Sequence, residues 1–192
     1  MSLILASNSQ IRRSMLEQAG LEFIVRSPDF DESKAKRNGL TGERLAQELA
    51  CGKARSVAES AGDWTIGSDS VVSVDGIAYS KPRDRAQAAE HLRAFSGREM
   101  SLSSAVALAN GGEVQWCHAE TARLSVRPLS NAFIEQYLDR EWPEVSYCVG
   151  VFRMEAAGVT LFDRVEGSHF TILGMPLIPL LGALRERGLM AA

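Results

Sequence analysis

The chain has 192 residues, enough for a domain with a sizeable core. Its 45% hydrophobic and 23% charged residues exclude a disordered or fibrous protein. A formal net charge of -3 leaves no footprint for nucleic acid or a membrane surface. Cys51, Cys117 and Cys148 are odd in number and far apart, so neither a zinc site nor a disulfide framework is indicated, and a reducing cytoplasm suits them.

Leu3–Ala6 reads as a buried first strand, too short an apolar start for a signal peptide or membrane span. Ser7-Asn8-Ser9 can cap a helix running to about Ala19 and closed by Gly20. Leu21 to Arg26 reads as a second strand, followed by a loop through Ser27-Pro28-Asp29-Phe30-Asp31-Glu32. A long helix is expected from Thr41 to about Ala61, since Leu45, Leu49, Ala50 and Val57 recur near helical spacing and Gly62 follows.

Trp64 to Val72 is the stretch on which the chain turns. Apolar residues run up to Gly67, and a β-rich run resumes after Asp69. This predicts a buried strand delivering an acid at its carboxyl end. The hairpin signal Asp75-Gly76 can fold Lys81 back toward that acid. Next, residues 84 to 95 show a helical stripe of Ala86, Ala89, Leu92 and Phe95. Two strands, Met100–Ala109 and Glu113–Val126, flank Asn110-Gly111-Gly112 as a long hairpin. Ser130 caps a helix to about Arg140 that buries Phe133, Ile134, Tyr137 and Leu138. Val145–Phe152 and Val159–Val165 read as strands or bound loops, and Gly174-Met175-Pro176 opens a last helix closed by Gly188. Crossovers and hairpins together predict an α/β fold: a mixed, twisted sheet with flanking helices.

Several charged residues fall at the ends of these elements. The turn Ser7–Ser9, leading into Ile11, Arg12 and Arg13, presents backbone N–H groups, a positive helix end and guanidinium forks to an anion; plain helix capping is the alternative. Asp29, Asp31 and Glu32 supply the hard oxygens that Mg²⁺ prefers, or form a solvated turn. Lys53 stands among the small residues Ala50, Gly52 and Ala54, which let a ligand or another backbone approach closely; an ordinary surface lysine is the alternative. The three histidines are scattered, and no covalent-catalysis signature, Walker A loop or dinucleotide fingerprint is present. Taken together, the set suits metal-assisted attack of water on a phosphate.

The same residues carry a resemblance. Leu5-Ala6-Ser7-Asn8-Ser9 with Arg12, Asp31-Glu32, Leu49-Ala50 with Lys53-Ala54, Ile66 to Val72, Lys81-Pro82, Phe95-Ser96-Gly97 and Gly174-Met175-Pro176-Leu177 occur in this order. The chain resembles the Maf family of nucleoside triphosphate pyrophosphatases, also called septum formation inhibitor proteins, over about Leu3 to Arg187. That resemblance implies a single Maf-like domain over 1–192, with two lobes around a deep cleft as in inosine triphosphate pyrophosphatases. It implies hydrolysis of a nucleoside triphosphate to monophosphate and diphosphate with Mg²⁺ or Mn²⁺, and a homodimer by default. The proton acceptor falls on Asp69, also placed with Glu32 at the metal. Arg12, Lys53 and Lys81 fall at phosphate charge, and Ser7 at the anion site.

Positions for base choice fall on Ile11, Ser70 and Glu155. Val149–Glu155 and Gly158–Gly167 resemble the branch that prefers 7-methyl-GTP, although that branch usually has Trp at the Ile11 position. A carboxylate accepts the N–H donors of guanine and favours a cationic methylated base. The alternatives are a dTTP/UTP-type pyrophosphatase and a nucleotide-binding regulator of cell division with little turnover.

Overall fold

Short parallel strands near the amino terminus and long hairpins after it build the sheet. The computed structural model describes residues 2–57 and 62–191. Its strands are β1 (Leu3–Ala6), β2 (Ile24–Arg26), β3 (Trp64–Val74), β4 (Ile77–Tyr79), β5 (Glu99–Asn110), β6 (Glu113–Val126) and β7 (Phe162–Glu166). Its helices are α1 (Gln10–Gln18), α2 (Glu32–Arg37), α3 (Gly42–Ser56), α4 (Arg85–Phe95), α5 (Asn131–Glu141), α6 (His169–Ile172) and α7 (Leu177–Glu186). Hydrogen bonding runs in the order β2-β1-β3-β5-β6-β7, with β4 beside β3. β1 is parallel to β2 and β3, whereas β3/β4 and β6/β7 are antiparallel. The fold is therefore mixed α/β, as the alternation of crossovers and hairpins predicts.

The chain forms two compact units. One comprises residues 1–70, 103–120 and 168–192, the other 71–102 and 121–167. In the first, strand alternation sorts residues cleanly. Leu5, Ile66, Val106 and Leu108 face one way and pack with Met15 and Leu16 of α1 and with Leu177, Leu180 and Leu184 of α7. Ile4 and Ala6 face the other way and pack with Val57, just beyond α3. Cys51 of α3 and Cys117 of β6, remote in sequence, meet through a thiol–thiol hydrogen bond as free cysteines. In the second unit, Arg85 of α4 joins Glu135 and Asp139 of α5 at 2.6 Å each. Among the described residues no helix is long and apolar enough to cross a membrane.

Several expectations need correction. Asp69 does not end its strand, because β3 continues unbroken to Val74; only the parallel pairing with β1 stops, at Gly67. β2 begins at Ile24 rather than Leu21. The acidic loop closes into α2, whose N-cap Asp31 accepts from Ser33 N at 3.0 Å. α3 ends at Ser56, and residues 58–61 of the expected long helix lie outside the described residues. Ala86 is exposed, and α4 buries Ala88, Ala89, Leu92 and Phe95 instead. Phe133 is only half-buried, beneath the Arg127 guanidinium 4.1 Å from its ring centre.

Val145–Phe152 takes the looped rather than the stranded alternative. It forms a 3₁₀ turn over Glu144–Tyr147, and Val151 at φ 56° takes a left-handed conformation outside the extended region of a regular strand. A second 3₁₀ turn, Ala157–Leu161, precedes β7. α6 is four residues long, too short for any helical period to register in sequence.

Candidate active site

In α3, Leu45 and Leu49 are buried, and Lys53 continues their i, i+4 row. Its stem therefore runs inward along the sheet, and its side chain is only 12% exposed. The helix can lie this close because Gly67 of β3 offers no side chain against Ala50 and Ala54. Asp69, two residues along, points from the same strand face, and its Oδ1 lies 2.9 Å from Lys53 Nζ.

A second carboxylate arrives from the acidic loop. The Phe30 ring lies against bare Gly52 of α3, pinning the segment that leads into α2. Glu32, the first residue of α2, then places Oε1 2.9 Å from the same Nζ. Lys53 thus bridges two acids whose side chains are 14% and 37% exposed. Of the acidic cluster, Glu32 reaches Lys53, while Asp31 serves as a helix cap.

Two converging carboxylates fit a divalent cation of the Mg²⁺ type, which takes one or two protein carboxylates and completes its octahedron with water and substrate phosphate. Among the described residues no three His, Cys, Asp or Glu side chains gather for a closed metal cage. The donor set therefore suits an ion shared with a ligand.

The remaining first-unit residues lie around the start of α1. Ser7 is buried, and its Oγ accepts from Ser9 N at 3.1 Å. Ser9 holds the N-cap position of α1 but its side chain makes no cap bond, contrary to simple capping by this turn. Ile11 is half-buried in the first turn. Arg12 is buried, and its guanidinium donates to Gly174 O, Ser68 O and Ser70 Oγ. Burial lowers its pKa, while the negative charges of Asp69 and Glu32 work in the opposite sense.

In the second unit, Lys81 and Glu155 are exposed, and both act on the Cys148 thiol. Burial, then Glu155, pushes that thiol up to about 11, and Lys81 opposes the shift.

Sequence reasoning missed Phe30, Ser68, Ser104, Thr171 and the role of the Gly174 carbonyl. A signal did exist for Lys53, which lies four residues beyond Leu49 and so belongs to the buried row.

The mixed α/β fold brings two acids to one lysine, a donor set compatible with a divalent cation and a phosphate ligand. The family profile described as Maf-like protein matches residues 2–187, and the chain belongs to the Maf family. It is 44% identical over 191 residues to a 7-methyl-GTP pyrophosphatase of Rhizobium meliloti, covering 97% of this chain and 96% of that one. It is 46% identical over 192 residues to a nucleoside triphosphate pyrophosphatase of Nitrobacter hamburgensis, covering 98% and 95%. A solved HAM1 protein of Coxiella burnetii is a remote likeness, with 19% identity and a TM-score of 0.45 over 65% of this chain and 72% of that one.

Proposed function

We propose that this protein hydrolyses a nucleoside triphosphate to the monophosphate and diphosphate. The observation that carries the reading is the Glu32–Lys53–Asp69 bridge, two acids and one cation brought together from α2, α3 and β3. The named activities of relatives above 40% identity support it.

Asp69 is the water-activating base. Its ion pair engages Oδ1, and Oδ2 receives the proton of the attacking water. The water oxygen bonds to the α-phosphorus, the bond from that phosphorus to the α–β bridging oxygen breaks, and diphosphate departs. Lys53 offsets the charge that builds on the phosphoryl oxygens. Lys81 is proposed as a further cation for the phosphates, and Ser7 as an anion contact at the start of α1. Glu32 and Asp69 would hold a Mg²⁺ or Mn²⁺ ion, which when bound would supply Lewis-acid polarisation of the phosphate oxygens.

The base is 7-methylguanine in this reading. The exposed carboxylate of Glu155 accepts from the guanine N–H edge and favours the positive charge of the methylated ring. Two relatives named 7-methyl-GTP pyrophosphatase, at 44% and 42% identity, support this choice. The test is diphosphate release from 7-methyl-GTP, GTP, dTTP, UTP and CTP with Mg²⁺. Preference for 7-methyl-GTP is expected, and a pyrimidine preference refutes the choice of base. Asp69→Asn is expected to abolish release while the chain still folds; retained turnover removes Asp69 from its role.

A further inference from the structure

Arg12 is the residue whose surroundings depart furthest from a phosphate contact. Its Nε donates to Gly174 O at 2.9 Å, Nη1 to Ser68 O at 2.9 Å, and Nη2 to Ser70 Oγ at 3.1 Å. Three of the N–H donors of the fork are thus spent on protein acceptors in a site only 9% exposed.

The Ser68 and Ser70 side chains lie on the opposite face of the strand from the acid. Ile66 shares its parity with Ser68 and Ser70, and it faces α1 and α7. Gly67 shares its parity with Asp69 and abuts α3. Arg12 therefore grips the residues immediately before and after Asp69 from behind, while Lys53 meets the carboxylate in front.

The grip extends into a directed chain of hydrogen bonds. Ser104 Oγ gives its one proton to Thr171 O at 2.7 Å, so it accepts from Ser70 Oγ at 2.8 Å, and Ser70 Oγ in turn accepts from Arg12. Ser68 Oγ donates to Ala105 O at 2.7 Å. The turn that brings the Gly174 carbonyl to the guanidinium needs a glycine. Its φ is +109°, and a Cβ there would lie 3.3 Å from Ser70 Oγ and 3.5 Å from Arg12 Nη2. β3, α1 and the α6–α7 turn thus meet at one guanidinium, and the Ser68 and Ser70 hydroxyls tie β5 to them.

We infer that Arg12 is a positioning residue for Asp69: its fork fixes the backbone of Ser68–Ser70 against the Gly174 turn and so aims the carboxylate toward Lys53 on the other face. This role rests on the pyrophosphatase reading for its kinetic consequence, but its structural consequence stands independently. Buried charge with three neutral acceptors is costly unless geometry rewards it, and a planar fork spans three acceptors where an ammonium, a point donor, does not.

The test uses Arg12→Lys, Arg12→Gln and Ser70→Ala in the full chain. It measures diphosphate release from 7-methyl-GTP at saturating Mg²⁺, the Kd of the non-hydrolysable α,β-methylene analogue, and crystal structures. Both Arg12 variants are expected to lose kcat by about 100-fold, the scale of a misplacement near 1 Å. Analogue affinity should stay within about twofold of the unsubstituted chain, whereas losing a charged phosphate contact would cost about tenfold or more. Weakened binding in Arg12→Gln that Arg12→Lys restores overturns the inference in favour of a phosphate contact.

Should the Arg12 variants fail to fold, Ser70→Ala removes one acceptor alone, and an unchanged kcat there overturns it equally. If the unsubstituted chain releases no diphosphate, the pyrophosphatase reading falls and the coordinates decide the inference. The 2.9 Å Lys53–Asp69 contact must open in Arg12→Lys or, failing that variant, in Ser70→Ala. A contact that persists there refutes the positioning role.

Discussion

Gly67 of β3 stands so close to Ala50 of α3 that a Cβ on the glycine would lie 2.2 Å from the Ala50 carbonyl oxygen and 2.4 Å from the Ala54 nitrogen. Both obstacles are helix backbone, which cannot swing aside as a side chain would. This close approach sets the distance at which Lys53, one turn along the same helix, meets Asp69.

Gly67→Ala is therefore expected to force α3 off the sheet at an overpacking cost of about 1–3 kcal/mol. In a chain of this length each kcal/mol lowers the thermal midpoint by about 2–4 °C. Displacing Lys53 by about 1 Å should also cut kcat by about 100-fold. Gly182 in α7 gives the contrast, since a Cβ there meets nothing within 4 Å. Gly182→Ala should raise stability by about 0.5–1 kcal/mol without touching turnover. Thermal denaturation and diphosphate release on both variants check the pair. Equal effects would mean that the close approach at Gly67 does not matter.

Lys53→Met leaves Glu32 and Asp69 facing each other without the cation between them. Removing one partner of a fully buried pair costs about 3–5 kcal/mol; here Glu32 is 37% exposed, and solvent reduces the cost to about 1–3 kcal/mol. Turnover should fall by at least about 100-fold, because an electrostatic donor to the phosphoryl group is lost. A double-mutant cycle of Lys53→Met with Asp69→Asn measures the coupling. Additive stability losses would show the two charges to be energetically independent.

These two cases show what the sequence carries. The Gly-Ser-Asp run, the hairpin at Asn110-Gly111-Gly112 and the strand–turn–helix start are local patterns, so periodicity and turn chemistry reveal them. The order of motifs points to Asp69, Glu32 and Lys53 as a set. The direction of each side chain is not local. That Ser68 and Ser70 face α1 while Asp69 faces α3 depends on which helix covers which face, a consequence of how β1 pairs with β3. Phe30 on Gly52 is likewise a contact across 22 positions with no period to announce it, and α6 is shorter than any period.

The Phe30 contact yields a prediction of its own. The ring fills the place of a side chain on Gly52, where a Cβ would come within 2.3 Å of the Phe30 Cζ. Phe30→Ala removes this pin and loosens the approach of Glu32, leaving Lys53 and Asp69 in place. The Mg²⁺ concentration for half-maximal turnover should rise by about tenfold, in keeping with the loss of a supporting contact behind a metal ligand. At saturating Mg²⁺ kcat should remain within about threefold of the unsubstituted chain. A metal titration of diphosphate release separates the two effects. An unchanged Mg²⁺ requirement would detach Phe30 from the placement of Glu32.

Cys148 reports on the charges of the second unit. Its thiol is pushed up to about 11 by burial first and by Glu155 next, with Lys81 opposing. A raised pKa in an acid means that the folded state holds its proton while the unfolded chain, titrating near the ordinary thiol value of about 8.5, has begun to lose it. This contribution to stability is full below that unfolded value, declines as pH rises toward about 11, and is gone above it. The slope through that window approaches one proton, roughly 1.4 kcal/mol per pH unit at most. Cys148→Ala should flatten it in denaturant melts taken across the alkaline range. Alkylation of Cys148 with iodoacetamide, resolved by mass spectrometry, reads the thiolate directly. Glu155→Gln should move its midpoint down and Lys81→Met should move it up. Midpoints that stay fixed in both variants would show that neither charge reaches the thiol.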